Sequence, residues 1–260
     1  MTEKLRLTLL QPELFWEDSQ ANRAYLGELL APVKETDLII LPEMCTTGFS
    51  MRPAQFAEKA EDSASLKWLV RLAQQKSCAI AAGLMIEQEG QYYNRLYFVQ
   101  PDGSYQFYSK KHLFTLAGEE KIYQSGQDLL VVNYMGWRIK PLICYDLRFP
   151  VWSRNTDDTD LMLYIANWPE RRSHAWKSLL PARAIENMCY VAGVNRVGQD
   201  GNGVNHSGDS AVYDVLGTPL LQMGPQIEGL ETIQLSKSDL RQSREKFAFL
   251  QDRDHFNLEG

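Results

Sequence analysis

Apolar residues recur along the chain in two periods, and the alternation between them predicts the elements. Leu5-Arg-Leu-Thr-Leu-Leu10 alternates and then runs apolar, which predicts a first strand. Leu26, Leu29, Leu30 and Val33 follow at helical spacing behind Asp18 or Ser19, either of which can cap the helix. Asp37 to Leu41 is a short run, nearly all apolar, that suits a strand covered on both faces. Leu66, Leu69, Val70 and Ala73 define a second amphipathic helix, and Cys78 to Ile86 a buried strand after it. Tyr92 to Val99 and Tyr105 to Tyr108 read as two strands around the turn at Pro101-Asp-Gly-Ser104.

In the second half, Leu129 to Tyr134 and Arg138 to Ile143 predict strands joined by a tight turn at Met135-Gly136. Asp160 to Ala166 predicts the next buried strand. A helix from about Ser173 to Met188 carries Trp176, Leu179, Leu180, Arg183 and Ala184 on one face, with Pro181 removing a ladder bond inside it. Tyr190 to Val197 reads as one more strand, followed by a flexible loop at Gly198–Gly203. Ser210 to Val215, Leu220 to Met223 and Leu230 to Leu235 complete the strands, and Ser236 or Ser238 caps a short charged helix. Helices alternate with strands early and strands with each other later, so two mixed sheets packed face to face with helices outside are expected. No Gly-, Ser- or Pro-rich linker divides the 260 residues, so a single domain over 1–260 is expected.

Composition narrows the function more than the fold. A net charge of -6 argues against a nucleic-acid surface. No apolar run approaches a membrane span and no signal-peptide layout opens the chain, so a cytoplasmic protein is expected. Cys45, Cys78, Cys144 and Cys189 are far apart and lack zinc-ligand spacing, which leaves four free thiols and no metal site. The patterns of metalloproteases, serine hydrolases, P-loop proteins and dinucleotide enzymes are missing.

What remains is a set of polar residues at strand exits. Glu43 stands just past the second strand, Lys110 past the Tyr105–Tyr108 strand, and Cys144 past Ile143, where open α/β sheets place their sites. An ordinary thiol is mostly protonated at neutral pH, and a carboxylate able to take its proton makes it a nucleophile. A fixed ammonium can face the oxyanion that forms when sulfur adds to a carbonyl. The plain alternatives are that Cys144 is a packed small hydrophobe and that Lys110-Lys111 is a solvated face.

Leu41-Pro-Glu43, Tyr108-Ser-Lys110-Lys-His-Leu-Phe114 and Leu142-Ile-Cys144-Tyr-Asp-Leu-Arg-Phe-Pro150 lie in the order and spacing of three signature segments, and the chain resembles the nitrilase, or carbon-nitrogen hydrolase, superfamily. Ala166-Asn-Trp-Pro169, Arg183-Ala-Ile-Glu-Asn187 and Gly208-Asp-Ser210 agree with its later segments. Within it the chain is most similar to the bacterial omega-amidases, through Cys144–Arg154 and Asn167-Trp-Pro.

The resemblance implies an α-β-β-α sandwich of four layers. It implies Glu43 as base, Lys110 as oxyanion partner and Cys144 as nucleophile, with a second glutamate at Glu119 or the adjacent Glu120. It also implies hydrolysis of the terminal amide of small amidated dicarboxylates such as 2-oxoglutaramate and 2-oxosuccinamate through a thioester, with no metal or cofactor, in a homodimer. The Tyr145 N–H would join Lys110 at the oxyanion, and Arg148, Arg172 or Arg183 would take the substrate carboxylate. Phe49, Phe114 and Trp168 would wall the pocket, Cys45 pack, and His112 fix the Lys110 loop. The rivals are another carbon-nitrogen hydrolase of the superfamily, acting on carbamoyl amines or nitriles, and a binding protein that keeps the fold without catalysis.

Overall fold

The computed structural model describes residues 3–258. In chain order its elements are β1 (Lys4–Gln11), α1 (Ser19–Leu30), β2 (Leu38–Ile40), α2 (Pro53–Phe56), β3 (Glu58–Lys59), α3 (Ala64–Lys76), β4 (Ala79–Gln88), β5 (Gln91–Val99) and β6 (Tyr105–Ser109). There follow β7 (Val132–Tyr134), β8 (Trp137–Ile143), β9 (Leu161–Ala166), α4 (Ser173–Asn187), β10 (Tyr190–Asn195), β11 (Val197–Gln199) and β12 (Asn205–Ser207). The last are β13 (Ala211–Tyr213), β14 (Pro219–Gln222), β15 (Gly229–Ser236) and α5 (Lys237–Phe247).

Two mixed sheets result. The first runs β15-β1-β2-β4-β5-β6 with β3 beside β4, and the second runs β14-β13-β10-β9-β8-β7. Within the first, β1, β2 and β4 are parallel; within the second, β8, β9 and β10 are. Crossover connections make those strands parallel, whereas the tight turns between β4, β5 and β6 can only give antiparallel neighbours.

Period-two alternation decides which layer each side chain joins. Leu7, Leu9, Leu38, Ile40, Ala79 and Ala81 point into the core shared with the second sheet, against Ile139, Leu163 and Ile165. Their neighbours Leu10, Ile39, Ile80 and Ala82 point the other way, onto Leu26 and Leu30 of α1 and Leu66 and Leu69 of α3. Both faces of these strands are therefore covered, which is why their sequences read as nearly unbroken apolar runs. Trp176, Leu180 and Ala184 of α4 cover the outside of the second sheet, completing the four layers.

Asp18 caps α1 by accepting from the Ala21 N–H, and Ser236 caps α5 by accepting from the Asp239 N–H. α4 continues through Pro181. Two expectations need correcting. The predicted strand Leu129–Tyr134 is hydrogen-bonded only over Val132–Tyr134. The run Tyr190–Val197 breaks at Arg196: the Asn195 side chain at the end of β10 bonds Trp168 and Gly208, and the chain continues into the separate β11–β12 hairpin. Gly198–Gly203 is mostly the turn of that hairpin.

Candidate active site

The polar exits of β2, β6 and β8 meet at one end of the sandwich. Glu43 and Lys110 arrive from the first sheet and Cys144 from the second. Cys144 opens a tight helical turn, Cys144–Arg148, with a left-handed backbone at φ 45°, and Met44 beside Glu43 also has a positive φ of 43°. Left-handed backbone at a non-glycine residue costs energy and persists only where the surrounding structure holds it. Gly83 of β4 lets the Glu43 turn come this close: a Cβ there would stand 2.6 Å from both Glu43 Cα and Met44 N.

Lys110 is fully buried, and its ammonium donates to Glu43 Oε1 at 2.9 Å and to Glu119 Oε2 at 2.9 Å. Asn94, in the middle of β5, donates to the same two carboxylates at 2.7 and 3.1 Å. The remaining Glu43 oxygen accepts from the Asn167 N–H at 2.8 Å, and Glu119 Oε2 accepts from the Phe114 N–H at 2.6 Å. Every oxygen of the pair is thus hydrogen-bonded, as buried carboxylates must be.

The charges follow from this packing. Burial works against the Lys110 ammonium, but Glu119 and Glu43 beside it more than offset that and hold its pKa above the ordinary lysine value. Glu119 is pushed up by burial, against the pull of Lys110. Cys144 is pushed well above the ordinary thiol value, first by burial and then by the Glu43 charge, while Lys110 pulls the other way.

These groups floor a cavity of about 370 Å³. Glu43, Lys110, Cys144, Tyr145, Arg148, Phe49, Phe114, Trp168 and Arg172 all line it, and Glu119 sits behind Lys110. The Lys110 ammonium lies 5.0 Å from the Phe49 ring centroid. The Arg172 guanidinium lies over Phe114 at 4.9 Å and that of Arg148 over Trp168 at 5.1 Å, and among the described residues no carboxylate pairs with either. Burial and the neighbouring Arg171 charge push the Arg172 pKa down.

The carbon-nitrogen hydrolase family model matches residues 6–245. The chain belongs to the carbon-nitrogen hydrolase family. It is 45% identical over 254 residues to omega-amidase YafV of Escherichia coli, covering 98% of each chain. It is 31% identical over 223 residues to the 2-oxoglutaramate amidase of Bacillus subtilis, covering 84% of this chain and 85% of that one. Among solved structures, XC1258 of Xanthomonas campestris, described as a CN-hydrolase superfamily protein with an arsenic adduct in the active site, superposes with a TM-score of 0.97 at 42% identity. That match covers 99% of this chain and 100% of that one.

Of the two glutamates that sequence left open in this carbon-nitrogen hydrolase, Glu119 is fully buried on Lys110 and Glu120 is exposed. Arg183 is corrected: it is buried in α4, pairs with Glu186 at 3.0 Å and donates to the Leu147 carbonyl, so it does not line the cavity. Cys45 is packed in the core under α1 and α3, and burial pushes its thiol up to about 12. His112 is half-buried and bonded to Asp146.

Sequence reasoning missed Asn94, Asp146, Arg171 and His206. Asn94 had a signal, a lone amide among apolar strand residues; Arg171 stood beside Arg172; His206 had none. Among the described residues no group of His, Cys, Asp or Glu is arranged to hold a metal, and no helix is long and apolar enough to cross a membrane.

Proposed function

We propose that this carbon-nitrogen hydrolase is an omega-amidase, cleaving the terminal amide of short dicarboxylate monoamides such as 2-oxoglutaramate and 2-oxosuccinamate to the acid and ammonia. The observation that carries the reading is Lys110 held between Glu43 and Glu119 beside Cys144, with cationic side chains free of carboxylates in the same cavity wall. The likeness to YafV and to the 2-oxoglutaramate amidase supports it.

The amide carbonyl is placed over Cys144 and the distal carboxylate toward Arg172 and Arg148. As sulfur adds to the carbonyl carbon, its proton passes to Glu43, so the thiolate forms only as it is consumed. The oxyanion is held by the Lys110 ammonium, whose burial strengthens its pull on developing charge, and by the Tyr145 N–H. Glu43 returns the proton to nitrogen, the C–N bond breaks, and ammonia leaves a thioester on Cys144. Water then gives a proton to Glu43 and its oxygen to the acyl carbon, and the thiol is restored. Glu119 keeps Lys110 aimed between the two carboxylates throughout.

A carboxylate-terminated substrate explains arginines without internal partners, which a neutral nitrile or amide would not use. We place the enzyme in the cytoplasm, a reading supported by four free thiols, and expect a homodimer, which sizing with light scattering tests. The central experiment is ammonia release from 2-oxoglutaramate, with hydroxylamine trapping of the acyl group and its mass on Cys144. No turnover of this substrate alongside turnover of a carbamoyl amine or a nitrile would overturn the assignment, and turnover surviving Cys144→Ala would overturn the mechanism.

A further inference from the structure

Asp146, two residues past the nucleophile, is fully buried, and its carboxylate accepts hydrogen bonds from both sheets. Oδ2 accepts from the Ile143 N–H at 3.0 Å and from the Tyr108 hydroxyl at 2.8 Å. Oδ1 accepts from the His112 N–H at 3.0 Å and lies 2.8 Å from His112 Nδ1. The Tyr108 hydroxyl accepts in turn from Trp152 Nε1 at 3.0 Å and from the Lys111 N–H at 3.2 Å.

The placement of these partners along the chain is what gives the cluster a use. Ile143 and Asp146 flank Cys144, at the end of β8 in the second sheet. Tyr108, Lys111 and His112 flank Lys110, at the end of β6 in the first. One carboxylate therefore ties together the backbone on both sides of the sulfur and on both sides of the ammonium. Asp146, Tyr108 and Trp152 do not line the reaction cavity. Lys111, His112, Phe149 and Trp152 line a separate groove of about 450 Å³, and the His112 ring stacks on Phe149 at 3.7 Å between centroids.

We propose that Asp146 is a positioning residue that fixes the distance between Cys144 and Lys110 across the two sheets, acting through Tyr108 and His112 without touching substrate. The inference rests on the amidase reading for its kinetics but not for its geometry. Sheets in a sandwich are joined by apolar packing, which tolerates small sliding; a buried carboxylate with directed donors on both sides does not. A displacement of about 1 Å between reacting groups costs on the order of 100-fold in rate.

The test uses Tyr108→Phe, which keeps the ring and removes the cross-sheet hydroxyl, beside Asp146→Asn. Turnover is measured together with alkylation of Cys144 by iodoacetamide across pH, and folding is checked by thermal melting. The expected result for Tyr108→Phe is a fall in kcat of the order of 100-fold with KM unchanged, and an alkylation profile displaced from that of the wild type. A folded variant with wild-type kcat and wild-type alkylation profile overturns the proposal, as does a lowered melting temperature with both readouts intact. If Asp146→Asn does not fold, Tyr108→Phe decides alone. Alkylation requires no amide, so a displaced profile in an enzyme that fails on 2-oxoglutaramate would sustain the positioning role while removing the substrate assignment.

Discussion

Replacing Arg172 by leucine tests whether the cavity selects its substrate by charge. The guanidinium is half-buried over Phe114 and has no carboxylate partner among the described residues, so its donors are open to a ligand. A hydrogen bond to a charged group contributes about 1.5–3 kcal/mol, which converts to a loss of roughly 10- to 150-fold in kcat/KM. The loss should fall on 2-oxoglutaramate and spare butyramide, which has the amide but no carboxylate. The assay is ammonia release for both substrates in parallel, repeated with Arg148→Leu. Arg148 is exposed, so solvent screens it and its loss should be the smaller. Equal losses on the charged and neutral amides would mean that Arg172 shapes the wall and does not read charge. An undiminished rate on the charged amide would refute carboxylate recognition by this arginine.

Other consequences are as direct. Glu43→Gln removes the proton acceptor of the proposed mechanism and should lower kcat by roughly 10²- to 10⁴-fold, read as loss of both ammonia release and thioester trapping. Gly83→Ala places a Cβ 2.6 Å from the Glu43 backbone; it should cost about 1–3 kcal/mol of stability by overpacking and a larger share of turnover, seen by melting and kinetics together. His206 is held down to about 4, by burial and then by Arg196, from an ordinary 6.5. Its lowered folded-state pKa means the unfolded chain takes up the proton first as pH falls below 6.5, so stability present above that pH is lost down to about 4. That limb amounts to about 3 kcal/mol, and urea melts of His206→Leu should show it flattened.

Much of the fold was legible because strands covered on two faces and helices covered on one leave different periods in the sequence. Leu38-Ile-Ile40 and Ala79–Ile86 could be read as buried strands from composition alone. The end of β10 could not, since it coincides with the Asn195 side chain bonding Trp168 and Gly208, contacts made across the fold. The candidate site was legible as three strand exits, since Glu43, Lys110 and Cys144 each stand just past a strand-like run. Their support was not: Asn94 and Asp146 act on partners 51 and 38 residues away. Arg183 shows the converse, since a cation on a helix face gives no sign of whether its partner is a substrate or, as here, Glu186.

The pairing of β15 with β1 has a consequence for synthesis. All eight residues of the first strand are matched by residues 229–236 near the other end of the chain. Until those emerge from the ribosome, β1 carries an open row of amides and carbonyls on one side, the kind of edge that recruits foreign strands. A stall in translation between β1 and β15 would therefore leave a nascent chain adhesive along the β1 edge, and chaperone occupancy should persist until β15 is released.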